Sequence, residues 1–547
     1  MDLVYDYVIV GAGSAGCVLA RRLADANANV LLLESGGWDA NPLIHIPVGM
    51  GKLHAWRMHD WGYDAEPDVA LDGRRVDAMR GKVVGGSSSV NVMIFTRGHR
   101  GDYDRWAQIA PGWSFEEVLP YFKRMESWQD GESEYRGGQG PLGVEWTKSN
   151  DPLFPALADA GRAAGFPITP DFNGEHQEGF GRSQFTIQRG RRASTARAFL
   201  RPVLNRKNLT VAVNADVTRI FLEGSRARGA EYVISGRRHR AIATHEVIIS
   251  AGAFNSPKLL MLSGIGPAEH LRACDIDPVV DLPVGDNLQD HVGMWMTWNR
   301  KKPGPFVGAM RFDRMVLSLF EAYFRGTGAA TVMPGGLYAF LKTKPDLTVP
   351  DLELMFRGTS HHAHLWFPGI KRPFKDGFGI RPTILHPKSR GAVRLRSGDY
   401  RDTPKLDFRI FSDPCDLQDM RQGFKLAWDL AHREPLAPYR DESVEPSREL
   451  RSDQEIDAFI RKAVRTAHHP AGTCAMGRPN EAVLDADLRV YGIGGLRVVD
   501  ASAMPDLVSG HINAAVIMMA DRASDLILKN GPGATAANCT GEAASAA

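Results

Sequence analysis

Cysteine is scarce in this 547-residue chain: Cys17, Cys274, Cys415, Cys474 and Cys539 stand apart, with no pair at disulfide or metal spacing. That usage fits a reducing compartment. An excess of either charge is also missing, with 66 Lys plus Arg against 64 Asp plus Glu and a net of +2. A charge so balanced leaves no footprint for nucleic acid. No apolar run approaches the ~18–20 residues that span a bilayer. The fold is read as starting at Asp6, which leaves too little chain ahead of it for a basic–apolar–cleavage leader. The expectation is a cytoplasmic protein without a transmembrane segment. His361-His362-Ala363-His364 lacks Cys or carboxylate at ligand spacing, so no metal is expected. With Trp366 and Phe367 it reads as lining an entrance or a lid.

What is present begins at the N-terminus. The apolar run Tyr7-Val8-Ile9-Val10 reads as a buried parallel strand and leads directly into Gly11-Ala12-Gly13-Ser14-Ala15-Gly16. Cys17-Val18-Leu19-Ala20 and Leu23 continue at helical spacing. A second run, Val30 to Leu33, ends at Glu34, eighteen residues beyond Gly16. Gly11 permits the tight turn, Gly13 lets backbone approach a pyrophosphate, and Gly16 lets helix and strand pack closely. The helix start offers free N–H groups and a positive dipole end to phosphate. Glu34 is placed to accept from ribose hydroxyls, and its charge repels a 2′-phosphate. Strand, helix, strand and acid in register predict a dinucleotide site.

Further along, helices are predicted around Asp102–Trp106, Phe115–Met125 and Pro155–Ala164, and strands at Leu209–Val213, Arg228–Ser235 and Glu246–Ser250. Gln129–Glu145, dense in Gly and charge, reads as a surface loop, and Arg237-Arg238-His239-Arg240 as a solvated hairpin tip. Residues 295–460 change character. Alternation at Leu352–Phe356 and Ala392–Arg396 predicts antiparallel strands, with helices near Met310–Tyr323 and Asp416–His432. A strand at Leu496–Val499 and a long helix from Asn513 to Lys529 follow.

A second Gly/Ser-rich loop, Gly81-Lys82-Val83-Val84-Gly85-Gly86-Ser87-Ser88-Ser89-Val90-Asn91, has small residues that let a ligand lie on backbone. From Gly81 to Gly98 it resembles the first signature of the glucose–methanol–choline (GMC) flavoprotein oxidoreductases. Gly252 to Pro267 is similar to the second signature. Val284 to His291, His469 to Gly477 and Val499 to Pro505 resemble three more family segments, in order along the chain.

The resemblance implies an α/β (α+β) fold. A Rossmann-like FAD-binding domain is expected from 1–155, 190–295 and 462–530. A substrate domain with an antiparallel sheet capped by helices is expected from 156–189 and 296–461, with a disordered tail at 531–547. It implies that Gly11, Gly13, Ser14, Ala15, Gly16 and Glu34 hold the adenosine diphosphate half of FAD, with Val217 meeting the adenine through backbone. Val84, Gly86, Ser89, Asn91, Val92 and Met93 would line the flavin. Asp500, Ala501 and Asn513 would serve its diphosphate and ribityl chain. Val90 stands where some members carry a covalent flavin link. Valine cannot form it, so non-covalent FAD is expected.

His469 matches the family's catalytic base and His511 its partner. An alcohol O–H is far too weak an acid to ionise alone, and imidazole, with a pKa of ~6.5, is suited to accept its proton as hydride leaves for flavin N5. Phe356 and His468 are substrate-side candidates, with His468 read as support or packing. A His–His pair, followed by Ile512-Asn513-Ala514-Ala515, is more similar to the sugar- and aryl-alcohol-oxidising branches than to choline oxidisers. The function implied is oxidation of a primary, aryl or sugar-like alcohol to the carbonyl, with oxygen or a quinone-type carrier as acceptor. A redox-silent lyase of the hydroxynitrile type, and a non-catalytic flavin binder, are the alternatives.

Overall fold

The computed structural model describes residues 3–529. The expected tail at 531–547 lies outside them. Leu3–Val10, exposed at Leu3 and Val4 and buried from Tyr7 to Val10, pairs in parallel with Val30–Leu33 on one side and with Arg237–Ile249 on the other. Val30–Leu33 pairs onward with Leu209–Ala212, and Leu496–Val498 joins beyond Val247–Ile249, again in parallel. The segments Tyr7–Val10, Val30–Leu33, Val247–Ile249 and Leu496–Val498 are buried on both faces, as a central parallel sheet requires, while Leu209–Ala212 is half-buried at the edge. Ala215–Glu223 and Arg226–Ile234 extend this seven-stranded sheet as an antiparallel hairpin. Its helices include Ser14–Asp25, which leaves the glycine turn, and Asn513–Lys529, which packs beside it.

The second sheet has eight strands, and its pairings are antiparallel. Arg440–Glu445, Met296–Arg300, Gly377–Ile384, Leu352–Arg357, Leu337–Leu341 and Gly179–Arg182 lie in that order, while Val292–Gly293 and Arg465–Thr466 pair at one corner. Helix Pro414–His432 packs on the sheet. A Cβ on its Gly423 would come within 2.8 Å of Leu352, so glycine permits the close approach there. Two-residue strands such as Val292–Gly293 carry no pattern of their own and form only by pairing.

The stretch expected to be one surface loop, 129–145, ends in a strand. Leu142–Trp146 pairs with Glu126–Trp128 and with Gln184–Phe185. Nor is its charge all solvated: Arg136 is buried and ion-paired with buried Glu126 at 2.6 Å. The basic run 237–240 follows a turn at Ser235-Gly236, both at positive φ, and is exposed or half-buried as expected. No helix among the described residues is long and apolar enough to cross a membrane.

Candidate active site

A cleft of about 2150 Å³ runs between the two sheets, larger than the ~300–1,000 Å³ of an ordinary small-molecule pocket. One end is lined by Gly11, Gly13, Ser14, Ala15, Glu34 and Val217. The other is lined by Phe356, His468, His469 and His511. The two sets of expected residues therefore share one space.

The glycine turn fits its expected work. Gly11 has φ +99° and its N–H donates to Leu33 O at 2.7 Å. A Cβ on Gly16 would sit 1.9 Å from Gly11 O, whereas one on Gly13 would meet only Ser250 O at 3.9 Å. Gly16 is thus a packing glycine and Gly13 leaves open space, the cradle a pyrophosphate would occupy. Ser14 Oγ donates to Asn513 Oδ1 at 2.7 Å, which ties the start of the first helix to the last. Gly86 brings the second glycine loop against this turn, since its Cβ would lie 2.8 Å from Gly13 Cα.

Glu34 is buried, and its two oxygens accept from Ala12 N–H at 2.9 Å and Gly36 N–H at 2.8 Å. Burial pushes its carboxyl up to about 7 against those two bonds. Asp500 is turned toward the protein's own donors, accepting from Gly252 N–H and Ser502 N–H, both at 2.8 Å. Its carboxylate therefore anchors the start of helix Gly252–Leu262. Asp500, Ala501, Gly86, Asn91, Val92 and Asn513 line the cleft. Val84, Ser89 and Met93 do not. Ser89 Oγ turns back onto Val84 O at 2.8 Å, and Met93 is wholly buried among apolar neighbours. With those three set back, the lining residues fit an extended FAD, and Val90 lines the cleft with no nucleophile.

At the far end two imidazoles face each other. His469 and His511 have ring centroids 4.6 Å apart at 76°. His469 is positioned by its own N–H, which donates to Asp290 Oδ1 at 2.8 Å. His511 is positioned by its N–H on Thr96 Oγ1 at 2.7 Å, in a turn where Gly510 has φ +144°. Asp102 holds the preceding Ser509 by its N–H and hydroxyl.

Two residues given no role from sequence complete the group. His291 Nδ1 lies 3.0 Å from His469 Nδ1, and its Nε2 lies 3.0 Å from Leu385 O. Glu353 Oε1 lies 3.0 Å from His511 Nε2. Burial pushes the Glu353 carboxyl up, but His511, His291 and Arg381 together outweigh it and leave the group below its ordinary value. Burial, reinforced by His511 and His291, holds His469 well below the usual imidazole range, and burial takes His291 down to about 3. His468 lies beside Arg80, which donates to its carbonyl at 2.7 Å, and is likewise held low by burial. Phe356 stacks on Phe180. His361 and His362 line the cleft, as expected of an entrance; His364, Trp366 and Phe367 do not. Arg357 and Arg381 also line it, with the Arg357 guanidinium 4.3 Å over the Trp295 ring.

Comparison with known proteins agrees with this architecture. Two sequence profiles, both described as GMC oxidoreductase, match residues 5–293 and 387–520. The mitochondrial choline dehydrogenase of Mus musculus is 41% identical over 537 residues, covering 96% of this chain and 89% of its own length. The oxygen-dependent choline dehydrogenase of Sinorhizobium fredii (strain NBRC 101917 / NGR234) is 40% identical over 532 residues and 96% of each chain. Among solved structures, pyridoxine 4-oxidase from Mesorbium loti superposes with a TM-score of 0.86 at 31% identity, covering 96% of this chain and all of that one. Formate oxidase from Aspergillus oryzae RIB40 gives 0.87 at 26% identity, covering 96% and 98%. The chain belongs to the GMC oxidoreductase family and is an FAD-dependent enzyme of alcohol oxidation.

Proposed function

We propose that His469 takes the hydroxyl proton of the alcohol, that His511 holds the same oxygen, and that His291 acts through His469 by fixing its tautomer. The observation that carries this is the hydrogen-bond chain Leu385–His291–His469. A carbonyl only accepts, so His291 Nε2 carries a proton. Held down to about 3, His291 is neutral and its Nδ1 is a bare lone pair. The 3.0 Å contact then requires His469 Nδ1 to donate. His469, itself held low by burial, keeps that one proton and leaves Nε2 free to accept. Its base is ready at neutral pH without prior deprotonation.

The Glu353 carboxylate accepts the Nε2–H of His511, which fixes the tilt of that ring at the cleft. A ring so fixed is placed to hold the substrate oxygen beside His469. FAD, when bound, supplies the acceptor for the hydrogen and electron pair that leave the alcohol carbon. Gly11, Gly13, Ser14, Ala15 and Glu34 would hold its adenosine diphosphate half, and Val217 its adenine. Gly86, Asn91, Val92, Ala501 and Asn513 would hold the rest. The side chain of Val90 supports non-covalent attachment. Acid precipitation should release all of the flavin, and flavin kept in the precipitate would contradict this.

The substrate we infer is a primary alcohol with a neutral, largely apolar body. Choline, named for the mouse and Sinorhizobium relatives, carries a permanent cation. Here Arg357 covers Trp295, Arg381 lies near enough to His469 to affect its protonation, and the Glu353 carboxylate is committed to His511. A cation would meet repulsion there. The acceptor, oxygen or a quinone-type carrier, is read by admitting air to the reduced enzyme. A cytoplasmic compartment is supported by the free state of Cys17, Cys274, Cys415 and Cys474, and cell fractionation tests it.

Anaerobic stopped-flow reduction of the flavin tests the mechanism. His469→Ala should keep FAD and slow reduction ~10²–10⁴-fold, the usual worth of a positioned base. Reduction at the parental rate would remove His469 from the role. In a panel of benzyl alcohol, alkanols, pyridoxine and choline, choline should be slowest. If it is fastest, the substrate reading fails while the assignment of the base stands.

A further inference from the structure

Helix Phe312–Arg325 presents its apolar face outward. Its buried positions are Met315, Ser318 and Ala322, of which only Met315 carries a large apolar side chain. Phe312, Val316, Leu317, Phe320, Tyr323 and Phe324 are exposed, the last three by 59, 65 and 74%. Steps of three and four residues make them one continuous stripe. Phe312 N–H donates to Trp366 O at 2.8 Å, which brings in a neighbouring loop with Phe367 and Ile370, the latter 84% exposed. Single exposed apolar residues are ordinary on a protein surface, but a contiguous patch of this kind marks a contact surface.

The border of the stripe is cationic. Arg189, Arg314, Arg325, Lys371 and Arg372 are exposed, with no carboxylate partner among the described residues. Arg191 lies 5.4 Å over the Tyr323 ring and donates to its carbonyl. Of the helix's own acids, Asp313 is paired with Arg311, and Glu321 lies against Gly328. So local a surplus of positive charge stands out in a chain whose net charge is +2.

We propose that this face docks on the surface of an anionic phospholipid bilayer. The helix would lie in the interface plane with its aromatic stripe at the headgroup boundary and the surrounding Arg and Lys on lipid phosphates. It does not span: fourteen residues reach about 21 Å, short of the ~30 Å hydrocarbon core. A second copy of the chain is a poorer occupant, because apposing two such faces brings like-charged borders together. His361 and His362, from the loop that carries Ile370, line the active-site cleft. Docking would therefore hold a wall of the cleft near lipid, where apolar alcohols and lipophilic carriers concentrate.

Vesicle flotation of the purified holoenzyme tests the proposal. The protein should float with phosphatidylcholine vesicles containing phosphatidylglycerol, and stay behind with phosphatidylcholine alone. Raising salt from about 0.05 M to about 0.5 M should release most of it. The triple variant Leu317→Ser/Phe320→Ser/Phe324→Ser should lose about tenfold in bound fraction, because its apolar anchor is gone. It should keep its flavin and its reduction rate, since none of the three residues lines the cleft. Arg314→Glu/Arg372→Glu should weaken binding to the anionic vesicles. Failure to float with either vesicle, or flotation unchanged in the triple variant, overturns the proposal. So does a concentration-dependent dimer that the triple variant abolishes while no vesicle binding is seen, which would make the face a self-association surface.

Discussion

His469 is held well below its ordinary value by burial and by the histidines and arginines around it, and this fixes the sign of a pH effect. The neutral base persists to lower pH than an unperturbed imidazole would allow. Flavin reduction at saturating alcohol should therefore stay level as pH falls through ~6.5. A decline centred there would show an unperturbed base. His291→Ala leaves the Nδ1–H of His469 without its acceptor and removes one neighbour that lowers it. Reduction should slow about tenfold, one buried hydrogen bond's worth. Its acid limb should move to higher pH, a change that loss of packing alone would not bring. His291→Asn, which keeps an acceptor, should recover part of the rate. Glu34→Ala should weaken FAD by ~1.5–3 kcal/mol, read as flavin lost on dilution, with little change in reduction of the enzyme that retains it. That His469 and His511 meet could be expected from sequence because His469 opens one family segment and His511 follows closely on another. The parts of His291 and Glu353 could not, although His291 closes a third such segment. A single His or a single strand Glu has no spacing, and each acquires its meaning by meeting a ring about 160–180 positions away. The one local signal was Glu353 itself, a charge in a strand buried along its inner residues.

At the scale of elements, the two glycine loops work as one device. Gly86 has φ +53° and a Cβ there would press on Gly13. Gly86→Ala should therefore separate the loops and give protein with depleted flavin, measured as the ratio of flavin to protein absorbance. Normal flavin content would show that the loops can part without cost. Helices with long periodic patterns, such as Phe115–Met125 and Asn513–Lys529, were legible to the residue. The strand Leu142–Trp146 was not, because it follows directly on a Gly-rich charged loop and owes its place to pairing with Glu126–Trp128. Which way helix Phe312–Arg325 faces was equally out of reach. Periodicity reports that an apolar stripe exists, not what covers it.

Across the whole molecule, the cleft between the sheets makes FAD a bridge, lined by Gly11 on one side and Phe356 on the other. Removing it should loosen both. Holoenzyme at FAD about 1,000-fold above its dissociation constant gains about 4 kcal/mol, so deflavinated protein should melt about 3–4 °C lower and recover when FAD is returned. A midpoint indifferent to flavin would mean the cofactor spans less of the cleft than its lining suggests.

The bond from Ser14 to Asn513 joins the first helix among the described residues to the last. Leu3–Val10, paired on one side with Val30–Leu33, likewise gains its second partner only when Arg237–Ile249 has been made, and Leu496–Val498 closes the far side of that strand later still. On the ribosome, then, the nucleotide-binding turn emerges well before the partners that complete it. Such a chain cannot capture its cofactor during synthesis, and its contacts of very long range make assembly slow. Nascent protein stalled before residue 513 should bind no flavin, however complete its glycine signature. Yield in a heterologous host would then be set by how well that long unfinished interval is chaperoned and supplied with FAD at its end, more than by the stability of the finished enzyme.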